Sequence, residues 1–124
     1  MWRNVVARLR PGGRFVGVRC CDPRAPATAN GEGRYGVTYR DFVEVPGGLA
    51  YRFEVHSDPP IGFEACSMRT SFSGSTEMHE KFGLEDVRIV PCESAEVVKR
   101  DPEYWKLFLD MPSLAVVMAR KRRL

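Results

Sequence analysis

A chain of 124 residues that is 44% hydrophobic, 10% aromatic and 28% charged has the length and profile of one globular domain. It holds no run of about 18 or more apolar residues, which excludes a helical membrane span. The net charge is +3, but Arg120, Lys121, Arg122 and Arg123 supply four positive charges at one end and leave the rest near −1.

Such a tail can draw nucleic acid or an acidic membrane. Its terminal position favours a solvated, frayed end, and nucleic acid is not an expected partner. The opening MWRNVVARLR carries arginines within its short apolar run and no small-residue cleavage site, so it does not read as a secretory signal. Cys20, Cys21, Cys66 and Cys92 show neither a CxxC spacing nor nearby histidines, which argues against zinc or a redox pair. Adjacent Cys20 and Cys21 point to opposite faces of a strand and are poorly placed to bond each other. The expectation is reduced structural thiols in a cytoplasmic protein.

In chain order, Val5, Val6 and Leu9 have helical spacing, and Pro11-Gly12-Gly13 stops that segment. Arg14-Phe15-Val16-Gly17-Val18 follows with strand character. Residues 21–36 form a loop rich in proline and glycine. Residues 37–45 and 49–56 make a hairpin around Pro46-Gly47-Gly48. Asp58-Pro59-Pro60 interrupts the chain, and residues 61–68 form a further strand. Ser75 is placed to cap a short helix ending at Gly83, with Glu77 and Glu80 near its start. Residues 84–90 read as a strand. Asp101-Pro102-Glu103 opens a helix with a cap, a proline at its first position and an acid in its first turn. Trp105, Phe108 and Leu109 share one face of that helix, Pro112 stops it, and residues 114–119 are a final strand.

Gly31-Glu32-Gly33-Arg34-Tyr35-Gly36 matches GxGxxG literally. Its context is wrong for nucleotide binding, because a loop precedes it and a strand follows, whereas pyrophosphate needs a helix N-terminus there. His56 and His79 have no second ligand at metal spacing, and surface or capping roles are expected for both. No metal site and no catalytic residue is assigned. The aromatic residues Tyr35, Tyr39, Phe42, Tyr51, Phe53 and Phe63 fit either cross-strand packing or one wall of an apolar pocket.

The segment from Asn4 to Val18, with its Leu9-Arg10-Pro11-Gly12-Gly13-Arg14 core, resembles the helix, LKPGGR turn and fifth strand of class I S-adenosylmethionine-dependent methyltransferases. Lys81-Phe82-Gly83-Leu84-Glu85-Asp86-Val87 is similar to that family's entry into strand six. Trp105-Lys106-Leu107-Phe108-Leu109-Asp110-Met111-Pro112 and the strand after it are similar to its closing helix and antiparallel strand seven. Gly33-Arg34-Tyr35-Gly36-Val37-Thr38-Tyr39 is similar to a loop of a small-molecule subgroup. The resemblance covers this chain but only the second half of the family's domain.

The resemblance implies an α/β chain, a partial Rossmann-like methyltransferase fold of strands five to seven with flanking helices plus an inserted β-hairpin. It forms one partial domain over 1–124, with 36–68 as a β-rich substrate cap. It implies S-adenosylmethionine as the family's cofactor and a small-molecule methyl acceptor. The glycine-rich first loop and the acid ending strand two, which hold the cofactor, have no counterpart here, so no cofactor-binding residue is assigned and the chain alone is expected to be inactive. Asp22, Tyr35, Tyr39 and Glu64, at loops and strand ends, are the candidate pocket-lining residues. Strand five would lack strand four beside it, so the expected partners are a complementary N-terminal half or a second copy at the open edge. The alternative is a non-catalytic module binding a small apolar ligand or a protein.

Overall fold

A computed structural model describes residues 1–29, 33–90 and 92–123. Helix α1 (Trp2–Arg8) gives way to extended backbone at Leu9, and the turn closed by the Gly13 amide on the Arg10 carbonyl leads into β1 (Arg14–Cys20). The last strand, β6 (Leu114–Lys121), pairs antiparallel along the whole of β1 and, on its other side, antiparallel with β5 (Leu84–Val90). Central β6 therefore carries the core of this sheet. Val117 and Leu84 are fully enclosed, and Ala115 and Ala119 flank Val117 on the same face.

Helix α1 covers that face. Trp2 meets the Phe15 ring edge-on at 5.3 Å. The Lys121 ammonium donates to the carbonyl of Val6 at 2.8 Å, which also accepts the Leu9 amide, and to that of Leu9 at 2.7 Å, capping the helix end. The basic end is thus only partly a free tail: Arg120 also pairs with Asp86 and Glu85, while Arg122 and Arg123 are exposed. A strand that must cover all of β1 cannot fray at Arg120 and Lys121, which corrects the expectation of a loose terminus.

The second sheet follows from the alternating aromatic run. Strands β2 (Val37–Val45), β3 (Gly48–Val55) and β4 (Ile61–Met68) form an antiparallel meander in that order. The expected hairpin is thereby extended to three strands, because β4 pairs with β3 over its full length. Tyr39 lies opposite Phe53 and Phe53 opposite Phe63, with ring centroids 4.9 and 4.8 Å apart. Such pairs are the usual source of side-chain stabilisation in a sheet. A bulge between Arg40 and Val43, with Asp41 at φ 57°, bends β2.

Three one-turn helices escape the sequence pattern: α2 (Pro26–Ala29), α3 (Arg69–Phe72) and α5 (Glu96–Arg100). Four or five residues are too few to show a helical period. Helix α4 (Glu77–Lys81) starts one residue later than expected, at Thr76, with the Ser75 hydroxyl accepting from the Glu77 amide at 3.2 Å. Helix α6 (Pro102–Asp110) begins as its sequence demands, the Asp101 carboxylate accepting from the Tyr104 amide at 3.1 Å.

The chain is α/β, with two small sheets. Every strand pair is antiparallel and each sheet has three strands, so the parallel sheet of a Rossmann-like domain is not formed among the described residues. The physical reason is that β1 and β5, which run the same way, are separated by the reversed β6.

Candidate functional site

A cleft of about 520 Å³ opens between the two sheets. That volume lies within the range of small-molecule sites. Helices α1 and α4 bring Trp2 and His79 to it, β1 brings Gly17 and Arg19, and β4 brings Ser67 and Met68. Gly17 has a structural reason to be glycine, since a Cβ there would stand 2.5 Å from the Phe15 ring. Any side chain at this position would displace the ring that lies across it.

Arg19 is held by backbone. Its Nε and Nη2 donate to the Ser71 carbonyl, and Nη1 donates to the Ser75 carbonyl at 3.1 Å. These contacts use three of the five N–H donors of a guanidinium. No carboxylate forms an ion pair with Arg19 among the described residues. The charge at the cleft is therefore fixed in place and not neutralised.

His79 was expected at the surface or in a cap, and it is instead 4% exposed with its ring 4.3 Å from that of Trp2. The spacing of the short helix turns it inward, against the α1 residue that the sequence alone could not place beside it. Among the described residues neither ring nitrogen has a partner at hydrogen-bond geometry, although the Thr76 backbone and the Glu80 carboxylate are close enough to favour the charged form weakly. An unpaired buried polar group costs about 1–3 kcal/mol. Burial, and secondarily the Arg19 charge, push the imidazole below its ordinary value, so it is neutral at pH 7. It then offers one donor and one acceptor. His56, by contrast, shares a 2.8 Å hydrogen bond with the Thr38 hydroxyl.

The four residues expected to line a pocket go to four different places, and none of them lines this cleft. Asp22 is occupied locally: both its oxygens receive the Arg24 guanidinium, and Oδ1 also accepts the Arg24 amide at 2.9 Å. That hydrogen bonding holds its carboxyl below the usual range. Tyr35 fastens its loop to α6. It stacks on Trp105 at 5.2 Å, donates to the Tyr104 carbonyl at 2.7 Å and accepts from the Phe108 amide at 3.2 Å. Glu64 is exposed and pairs across the strands with Arg52 at 3.3 Å.

Tyr39, on β2, stands beside a residue of the cleft. Burial, then the neighbouring Tyr51 and Cys20, push its phenol up to about 12, and Cys20 itself lines the cleft. The native state therefore keeps a proton that the unfolded chain releases near the ordinary tyrosine value. Stability conferred by this neutral phenol is complete below about pH 10 and is lost as pH rises towards about 12. An ultraviolet titration should show a late tyrosine step near pH 12, and Tyr39→Phe should remove it.

Of the GxGxxG residues, Gly31 and Glu32 lie outside the described residues, as does the loop residue Asn30. Gly33 has φ +74°, and a Cβ there would collide with the His56 ring. Its glycine serves a close backbone approach to β3's end. Burial raises the Cys21 thiol, which leaves it protonated and a poor nucleophile. Among the described residues there is no group of three or more potential metal ligands and no helix long and apolar enough to cross a membrane. No protein-family model matches the chain, and no curated protein matches it significantly.

Proposed function

We propose that this chain is the acceptor-side half of an S-adenosylmethionine-dependent small-molecule methyltransferase, a partial Rossmann-like unit whose cofactor cradle comes from a segment outside these 124 residues, in the same polypeptide or another. The observation that carries the reading is the β1-β6-β5 sheet. Its outer strands run the same way and its last strand is reversed between them, as the resemblance to strands five, six and seven implies. Two further features support it. The far edge of β1 has no strand beside it among the described residues, and Val16 and Val18 on that strand are 61% and 69% exposed. Both are what a sheet cut between strands four and five presents.

Methyl transfer requires the sulfonium carbon in line with the accepting atom, and positioning supplies much of the acceleration. Within this reading the 37–68 meander and the neighbouring cleft supply the acceptor's side of that alignment, with Tyr39 at its margin. On this reading the chain by itself does not hold the cofactor. A binding module with no chemistry is the second reading, favoured by a cleft that is complete without any cofactor residue.

Calorimetric titration with S-adenosylmethionine tests the proposal. No binding is expected to the chain alone, and binding is expected once a segment carrying strands one to four of a class I methyltransferase from the same genome is added. Binding by the chain alone would remove the need for a second half. Silence in both mixtures would overturn the methyltransferase reading and leave the binding module.

A further inference from the structure

We propose that the cleft between the sheets is a binding site for a small planar apolar molecule carrying one anionic group, with the anion on Arg19 and the ring system beside Trp2 and Met68. This goes beyond the methyltransferase reading, since it requires neither cofactor nor second half.

Three independent features converge there. The first is the unpaired charge: the Arg19 guanidinium is fixed by the Ser71 and Ser75 carbonyls and retains free N–H donors without a carboxylate partner among the described residues. A cation held rigidly beside apolar surface selects an anion by charge-assisted hydrogen bonds. The second is His79, which lines the cleft, is 4% exposed and leaves both ring nitrogens without partners. Buried polar groups are nearly always paired, and the enclosed imidazole leaves an unmet hydrogen-bonding need directly behind the cleft wall, which a shift of that wall on ligand binding would expose. The third is the wall itself: the Trp2 indole, tilted 52° to the His79 ring, and the Met68 thioether suit a flat ring system. Acidic side chains are absent from the lining, and the Glu80 carboxylate behind it acts on His79 more weakly than the Arg19 charge does.

The probes are 2-naphthoate and its neutral isostere 2-naphthamide, titrated by calorimetry into the full chain at pH 7 without S-adenosylmethionine. One-to-one binding of the naphthoate is expected, at least tenfold tighter than the amide. Arg19→Met keeps the aliphatic stem and should lower naphthoate affinity to the amide's level without altering amide binding. Equal binding of the two probes overturns the anion site, and so does undiminished naphthoate binding by a folded Arg19→Met chain. Binding of neither probe overturns the ligand site altogether. The comparison of the two probes on the native chain stands even if the variant fails to fold.

Discussion

Replacing Val16 and Val18 with lysine is expected to turn a self-associating chain into a monomer. Both residues are more than half exposed on β1, whose outer edge has no strand beside it among the described residues. They share a sheet face with Val116 and Met118, their partners on β6. The opposite face is the one closed by α1, where Val117 and Ala119 are buried. An apolar edge strand offers unpaired backbone groups and a dry surface together, and lysine on the edge is a common natural block to such pairing. Sedimentation velocity should find the native chain as dimers or larger species in the micromolar range, with the association constant falling at least tenfold in the double variant. A native chain that is monodisperse, monomeric and cooperatively melting would contradict both the open edge and the half-domain reading built on it.

Leu84→Ala should be the most damaging single truncation in the core. Leu84 has no exposed surface and opens β5 directly after the α4 turn, where helix and sheet meet. Removing a buried leucine side chain costs about 2–5 kcal/mol, because the surroundings refill the void only in part. Taking about 3 kcal/mol, the loss is a large share of a small domain's stability. Thermal denaturation should show Tm lower by roughly 10–15 °C. Val97→Ala is the matched control: this residue is 57% exposed on α5, and its truncation should change stability by no more than about 0.5 kcal/mol.

Where the signal is local, the sequence is a good guide to this fold. The six strands lie where alternation and β-branched runs place them, and Asp101-Pro102-Glu103 starts α6 because cap, fixed φ and first-turn acid act within four residues. The helices it fails to show are single turns, held by what they pack against. The candidate site is legible to a much smaller degree. Asp22, Tyr35 and Glu64 are chemically suited to a pocket, yet each is used up by a nearby or cross-strand partner: Arg24, the α6 backbone and Arg52. The residues that do line the cleft carry no motif. Arg19 is one arginine among many, and His79 gains significance only from Trp2, which is 77 positions away.

By itself, then, the sequence determines the α/β content, the strand positions, the Asp101 cap of α6 and the absence of local metal or nucleotide signatures, all of which depend on residues a few positions apart. Tertiary structure alone decides that β6 lies reversed between β1 and β5, that the aromatic run closes into a three-stranded sheet, and that Lys121 caps α1. It alone sets an unneutralised guanidinium beside an orphaned imidazole. Those outcomes depend on pairings between residues far apart in the chain, and burial assigns partners there that no local pattern can specify.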